Sequence, residues 1–264
     1  MGRLVILSGP SCVGKGPLHK ALKIFHPQLA GKLTKLVLYD SRPPRPGEVD
    51  GIDYHFRNRK YIEQLRNTDN FLVTDVRGDL QALDLNYLKD TLARGDAFFE
   101  GNPVIAIELL DMAQSRNIEI RSVFLSPLSA AEIEELKTRQ EINLEIFITD
   151  VMRRKLLRRT TRQKSILSLK DLENIEVRAA SAYKEMKQAW RFDFVLPNHD
   201  GEGSDNWNAF YYPIGDARNV LMCFAEILST IGFADIETSP AVLRRGGSGQ
   251  KLKYPEHWTE DLLQ

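Results

Sequence analysis

A glycine-rich turn near the start of the chain, "GPSCVGKG" at residues 9–16, constrains the fold more than any other segment. It follows a short apolar run at 3–8 and precedes a stretch, 17–25, whose apolar residues are spaced three and four apart. This pattern predicts a buried strand before the turn and a helix after it that ends ahead of Pro27. Main-chain N–H groups and a helix N-terminus then point at one phosphate, as in a P-loop. The residues that fit the Gly-x4-Gly-Lys pattern are Gly9, Gly14 and Lys15.

The P-loop departs from the usual pattern at its last position, where Gly16 replaces a serine or threonine. The hydroxyl of that residue is ordinarily a ligand of Mg²⁺. Because Mg²⁺ keeps several waters and takes oxygens from the phosphates, we still expect ATP and Mg²⁺ as cofactors, with no metal ligand from the protein. Losing one preorganised contact is expected to slow turnover ~10²-fold or more. The predicted ATP-binding residues of the turn are Gly9, Ser11, Cys12, Val13, Gly14, Lys15 and Gly16.

Strand-like and helix-like segments alternate along most of the chain, which favours an α/β fold with a parallel sheet covered by helices. The predicted strands lie at 35–40, 70–75, 97–101, 118–126 and 192–198, and the predicted helices near 60–66, 84–94, 103–115, 129–139 and 215–230. Residues 141–190 look almost continuously helical and highly charged. The segment 198–208 is predicted to be a loop, because it is rich in Gly, Asp and Asn. The polar C-terminal tail is expected to be mobile.

The amino-acid composition indicates which binding partners and which cellular compartment to expect. The 264 residues include 36 basic and 36 acidic ones, so no global field favours nucleic acid or a membrane surface. The two cysteines are too few for a disulfide framework, and no apolar stretch is long enough to cross a bilayer. The first residues contain no leader pattern, and we expect a cytoplasmic protein. The histidines show no metal-ligand spacing.

A second motif, "SRPPRPGEVDGIDYHF" at 41–56, contains two arginines three residues apart and fixed by prolines. Such a pair forms a rigid fork that suits a phosphate monoester. Together with the P-loop, this motif closely resembles the signature of the guanylate kinase family. The resemblance covers most of residues 3–230 and implies that Arg42, Arg45 and Tyr54 hold the phosphate of an acceptor nucleotide.

The resemblance also implies the P-loop nucleoside-monophosphate-kinase fold, with a parallel core sheet, helices on both faces, an acceptor-binding insertion and a helical lid. The P-loop core would comprise residues 1–33, 96–127 and 191–232. The acceptor-binding region would comprise 34–95 and the lid, with an insertion, 128–190. A polar tail at 233–264 would complete the chain.

Further site residues follow from the resemblance. Glu100 matches an acceptor-binding acid, whereas Asn102 stands where the family has an aspartate. Arg178 would reach over the transferring phosphate as a lid arginine, and Asn198 would lie beside the adenine. The residues expected to act in catalysis are Lys15, Arg42, Arg45 and Arg178. For a second lid arginine, three candidates remain open: Arg139, Arg158 and Arg159.

The residues expected to read guanine are the weakest part of the match. Where the family has a hydroxyl and a glutamate, this chain has Leu38 and Val73, whose apolar side chains cannot pair with guanine. Guanine specificity would then require Asp75 or Asp79 to take over this role. Three functions therefore stay open. The first is ATP-dependent phosphorylation of a nucleoside monophosphate, GMP by default, and the second is the same chemistry on another phosphomonoester such as a sugar phosphate. The third is an inactive module that binds a protein partner through the acceptor cleft.

Overall fold

The computed structural model describes residues 2–45, 47–229, 243–245, 251–253 and 255–264, with backbone alone at 243–245 and 251–253. The chain divides into two compact units. One unit comprises Met1–Ile6 and Lys32–Ile120, and the other comprises Leu7–Gly31 and Arg121–Gln264. The motif at 41–56 belongs to the first unit and the P-loop to the second.

The elements are numbered in chain order. The strands are β1 (Leu4–Ser8), β2 (Leu33–Lys35), β3 (Tyr39–Asp40), β4 (His55–Phe56), β5 (Phe71–Val76), β6 (Asp79–Asp84), β7 (Asp96–Glu100), β8 (Ile120–Ser126), β9 (Phe194–Pro197), β10 (Leu243–Arg245) and β11 (Lys251–Lys253). The α-helices are α1 (Lys15–Phe25), α2 (Pro27–Ala30), α3 (Arg59–Leu65), α4 (Leu85–Arg94), α5 (Pro103–Ser115), α6 (Ala130–Thr138), α7 (Leu144–Gln163), α8 (Leu169–Ala180), α9 (Ala182–Met186) and α10 (Gly215–Ser229). Short 3-10 helices span Ala189–Arg191, Asp205–Trp207 and Glu260–Leu263.

A five-stranded sheet has the strand order β2-β7-β1-β8-β9. Strand β2 pairs in parallel with β7, and β8 pairs in parallel with β9. Strand β1 is buried over its whole length, which explains why its sequence is a continuous apolar run rather than an alternating one. This arrangement confirms the predicted α/β fold with a parallel core sheet.

The first unit contains a four-stranded sheet with the order β4-β3-β6-β5. Strands β5 and β6 form an antiparallel hairpin whose two turn residues, Arg77 and Gly78, both have positive φ (56° and 89°). That geometry is the tight turn that suits the twist of a hairpin. One face of the sheet packs on α3 through an apolar cluster of Ile62, Leu80 and Ala82.

Two sequence predictions for this unit are wrong. The single strand predicted at 35–40 is two short strands, β2 and β3, in different sheets. Between them Leu36 and Leu38 are buried as loop residues, so their apolar character reflects packing rather than strand pairing. The second is strand β6, which was missed because three of its six residues, "DLQALD", are polar; the fold buries one of them, Gln81.

In the second unit, the helical region after β8 consists of α6, α7, α8 and α9. Helix α7 contacts both α8 and α9, and its buried residues are Ile148, Met152 and Leu156. Two serine capping boxes, at Ser129 and Ser168, define the starts of α6 and α8. The predicted last helix corresponds to α10, which packs against α1.

The tail was predicted to be mobile, but its last residues, 255–264, are packed against the rest of the second unit. Glu256 forms a β-bridge with Val195, and Trp258 and Leu263 are buried. The hydroxyl of Tyr183 donates to the carbonyl of Leu263 at 3.0 Å. Strands β10 and β11 pair antiparallel, while residues 233–242, 246–250 and 254 of the predicted tail lie outside the described part. Of the helices in the described ranges, none combines the length and apolar composition needed to cross a membrane.

Candidate active site

Two glycines of the P-loop occupy positions where a side chain does not fit. Gly9 has φ +136°, and a Cβ there would lie 2.3 Å from the carbonyl oxygen of Leu125. Gly14 has φ +111°, and a Cβ there would lie 2.4 Å from Nδ2 of Asn198. The chain therefore turns directly from β1 into α1 with no side chain at either glycine, which is the geometry that lets amide groups approach a phosphate.

Two cationic side chains of the second unit reach the P-loop. Lys15 begins α1, and its ammonium donates to the carbonyl oxygens of Gly9 and Pro10 at 2.6 and 2.8 Å. Arg178 lies in the last turn of α8, and its Nε donates to Oγ of Ser11 at 3.1 Å. The structure thus brings the predicted lid arginine to the predicted phosphate site.

Cys12, Val13 and Asn198 hold the P-loop in shape. The thiol of Cys12 donates to the carbonyl of Lys155 at 3.2 Å, and burial, with the charge of Glu202, raises its pKa to about 11. Asn198 is fully buried, and its Nδ2 donates to the carbonyl of Val13 at 2.7 Å. These side chains stabilise the turn, so the predicted contact of Asn198 with adenine stays a prediction.

The last position of the P-loop determines how a metal ion could be held there. Gly16 is exposed and offers no side-chain oxygen. Within the described residues, no group of three or more His, Cys, Asp or Glu side chains is arranged to hold a metal ion. A magnesium ion would therefore arrive as part of its ATP complex, held by phosphate oxygens and water.

The segment 199–208, which we call the strap, crosses the P-loop. The N–H of Glu202 donates to the carbonyl of Cys12 at 3.0 Å. The indole of Trp207 donates to the carbonyl of Gly201 at 2.6 Å, and its ring would lie 3.3 Å from a Cβ at Gly14. The Asp200 carboxylate accepts from several groups that fix the strap: Ser204 Oγ, Asn206 Nδ2 and Ala217 N.

Acidic residues of the strap pair with the basic face of α7. Arg159 donates to Glu202 at 2.8 Å, and both side chains are largely buried. Arg158 and Arg162 both pair with Asp205, and these side chains are exposed. The other candidate lid arginine, Arg139, pairs with Glu135 on the surface of α6. Of the three candidates, Arg159 pairs with the carboxylate whose own N–H bonds to the P-loop, and the choice among them stays a prediction. The sequence analysis assigned no role to Glu202, and the only local signal was a carboxylate between two glycines in "DGEGSD".

In the acceptor-binding region, Arg42 is held rigidly. Its two terminal nitrogens donate to the two oxygens of Glu48 at 2.6 and 2.8 Å, and its Nε lies 3.3 Å from a carboxylate oxygen of Asp40. The guanidinium also lies over the rings of Tyr54 and Phe56, at 5.1 and 5.4 Å from their centroids. Burial lowers the pKa of Arg42, but the bond to Glu48 and the charge of Asp40 raise it by more than burial lowers it. The guanidinium therefore stays charged.

The other predicted acceptor residues surround this arginine. The main-chain N–H of Arg45 donates to Glu48 at 2.7 Å, and its guanidinium is half exposed. Burial raises the pKa of Tyr54, and the charges of Asp40 and Glu100 add to this effect. The phenol is therefore a hydrogen-bond donor at neutral pH. Glu100, at the end of β7, is close enough to Tyr54 to act on it electrostatically.

The two positions that correspond to the family's guanine-reading residues have apolar side chains, and other polar residues nearby have structural roles. Leu38 is buried, and Val73 packs against the cluster on α3. Asp75 accepts from the N–H of Gly78 at 2.7 Å, so it closes the hairpin turn. Asn102 caps α5 by accepting from the N–H of Val104 at 2.8 Å.

A polar row crosses the other face of the four-stranded sheet, and sequence reasoning did not find it. The strand registers pair Gln81 of β6 with Asp40 on one side and with Thr74 on the other. Gln81 Nε2 donates to Asp40 at 2.8 Å, and Thr74 donates to Glu108 of α5 at 2.5 Å. Asp40, Gln81 and Thr74 are all buried. These three buried polar side chains are candidates for contacts with an acceptor.

A glycine cradle between a buried parallel-sheet strand and a helix, with a lysine and an arginine at its rim, defines a P-loop α/β protein of the phosphate-binding class. The sequence model described as "Guanylate kinase" matches residues 1–146, which contain both the P-loop and the arginine motif. Since this match covers more than half of the chain, the chain belongs to the guanylate kinase family.

The comparisons with individual proteins agree. The guanylate kinases of Streptococcus pyogenes serotype M3 (strain ATCC BAA-595 / MGAS315) and serotype M18 (strain MGAS8232) are each 36% identical to this chain over 136 residues. The match covers 51% of this chain and 61% of each relative, so the chain spans about three fifths of their length. The crystal structure of guanylate kinase from Anaplasma phagocytophilum matches with a TM-score of 0.50 and 18% identity, over 90% of this chain and 95% of that one. This likeness supports the fold.

Proposed function

We propose that the protein transfers the terminal phosphoryl group of ATP to a nucleoside monophosphate, with GMP as the default acceptor. The observation that carries the proposal is the cationic P-loop, in which the guanidinium of Arg178 bonds to Ser11 beside two glycines whose positions admit no side chain. A module that only binds a protein would not need this cradle. The family match at residues 1–146 supports the same activity.

In the proposed reaction, a phosphate oxygen of the acceptor attacks the terminal phosphorus of ATP, and the bond to the bridging oxygen breaks to release ADP. No residue forms a covalent intermediate. Lys15 would leave its two carbonyl partners and, with Arg178, stabilise charge on the transferring group. Closure of a lid over the reacting groups would exclude water that could hydrolyse ATP.

The acceptor phosphate is proposed to bind at Arg42, Arg45 and Tyr54. Glu48, Asp40 and two aromatic rings fix the guanidinium of Arg42, so little entropy is lost when it contacts a ligand. Arg45 is the more exposed of the two arginines and would supply a second positive charge. Glu100 would contact the acceptor from the end of β7.

A second candidate is a kinase for a phosphomonoester other than GMP. The observation behind it is that the apolar Leu38 and Val73 offer no partner to the polar edge of guanine. The buried Gln81 and Thr74 could instead contact hydroxyl or amide groups of a different acceptor. A cytoplasmic location would suit either substrate and two buried cysteines that are not joined by a disulfide.

The test is to incubate the protein with Mg·ATP and each member of a panel of nucleoside and sugar monophosphates while following ADP. ADP formed without an acceptor is subtracted as hydrolysis. Formation of ADP with GMP supports the first candidate, and formation with another acceptor supports the second. Binding of an acceptor without any ADP would contradict both and indicate a non-catalytic module.

A further inference from the structure

The strap places one carboxylate within the group of cations around the P-loop. Arg159 donates to Glu202 at 2.8 Å, and the positive charges of Lys15 and Arg178 also act on this carboxylate. Burial raises the pKa of Glu202, but these three cations lower it below its usual value. Glu202 is therefore an anion when the protein is at neutral pH.

The position of Glu202 is fixed from its main chain. Its N–H donates to the carbonyl oxygen of Cys12 in the P-loop. The preceding Gly201 has φ +63°, and a Cβ there would lie 2.8 Å from the same carbonyl oxygen. A side chain at position 201 would push the strap away. The strap is thus registered against the P-loop independently of the ion pair.

Electrostatics explains why a carboxylate is needed here. Three cations near one phosphate site repel each other when no nucleotide is bound, and an unpaired, largely buried guanidinium would turn towards water. Glu202 supplies the opposite charge that keeps Arg159 on the inner side of α7. The neighbouring pairs of Arg158 and Arg162 with Asp205 are exposed and are worth little.

We propose that Glu202 is a positioning residue that holds Arg159 at the P-loop, where Arg159 joins Arg178 in contacting the terminal phosphate of ATP. The inference rests on the proposed function only in taking ATP as the ligand of the P-loop. Because the terminal phosphate is the difference between ATP and ADP, the role of Glu202 should be visible in how well the protein discriminates between these two nucleotides.

The experiment measures the dissociation constants of ATP and ADP by titration calorimetry, with Mg²⁺ and without acceptor. The variants are Glu202→Gln, Arg159→Gln and the double variant, and the matched control is Asp205→Asn in the same strap. Each single variant is expected to lower the preference for ATP over ADP on the order of tenfold, the size of a charge-assisted hydrogen bond. ADP affinity and the behaviour of Asp205→Asn should be unchanged.

The double variant decides whether Glu202 acts through Arg159. Its preference for ATP over ADP should equal that of Arg159→Gln alone, because without Arg159 the carboxylate has no side chain to position. If Glu202→Gln does not fold, Glu202→Asp keeps the charge on a shorter side chain and should give an intermediate preference.

Three results would overturn the inference: equal losses of ATP and ADP affinity in Glu202→Gln, tighter ATP binding in that variant, or multiplicative losses in the double variant. Failure of the proposed function would look different, since it would be an absence of acceptor-dependent ADP formation in the unchanged protein.

Discussion

Replacing Gly14 with alanine tests the phosphate cradle. The main chain there has φ +111°, which an L side chain rarely adopts, and the added Cβ would lie 2.4 Å from Nδ2 of Asn198. Asn198 cannot move freely, because it is fully buried and donates to the carbonyl of Val13. The substitution must therefore distort either the P-loop or the end of β9.

The magnitude follows from these two effects. Left-handed backbone costs an alanine about 1 to 2 kcal/mol. Breaking the bond between Asn198 and Val13 leaves a buried polar group unsatisfied, which costs about 1 to 3 kcal/mol more. For a chain of this size the sum of ~2 to 5 kcal/mol corresponds to a melting temperature lowered by roughly 5 to 15 °C.

The assay is thermal unfolding with and without ATP, and the matched control is Gly51→Ala. Gly51 has φ +80° but no atom within 4 Å of its missing Cβ, so this variant isolates the backbone cost of about 1 kcal/mol. Gly14→Ala should also lose most of the stabilisation by ATP, whereas Gly51→Ala should keep it. Equal melting temperatures for the two variants would refute the steric reasoning.

Three further predictions follow from other sites. Arg42→Gln should weaken acceptor binding ~10²-fold with ATP affinity unchanged, whereas Arg57→Gln, at an exposed ion pair, should change neither; equal losses of both ligands would contradict the acceptor role. Cys12 is buried and its pKa is raised to about 11, so it should react with iodoacetamide at pH 8 only after unfolding. Alkylation of Cys12 in the native protein, detected by mass spectrometry, would contradict this prediction. His199 bonds to two carboxylates that raise its pKa to about 10, so its contribution to stability is complete below about pH 6.5 and is lost as the pH rises through 10. The stability difference between the protein and His199→Gln in urea should shrink over that range, and a constant difference would exclude the ion pairs as its source.

The parts of the site that local sequence determines were predictable. A phosphate cradle needs glycines at fixed spacing between a strand and a helix, and Gly9, Gly14 and Lys15 are found in that arrangement. The proline-stiffened arginine motif is equally local, because Arg42 and its partner Glu48 are six residues apart. In both cases the physical requirement is expressed within a few neighbouring residues.

The parts that depend on distant pairing were not predictable. The row of Asp40, Gln81 and Thr74 exists only because three strands align in register, and each of these polar residues alone looks like a surface residue. The strap has the composition of an ordinary exposed loop, and only its pairing with α7 gives Glu202 a role. The buried end of the chain at Leu263 was missed for the same reason, since its partner Tyr183 is 80 residues away.

The most direct test of the account is to mix the protein with Mg·ATP and GMP and to measure GDP and ADP together. We expect both products to form in equal amounts, at a rate reduced by the missing hydroxyl at position 16. We also expect Gly16→Ser to leave the acceptor preference unchanged. ADP without GDP would mean that the P-loop hydrolyses ATP but serves another acceptor or none. The absence of both products, with ATP bound, would contradict the claim that this chain is a phosphotransferase.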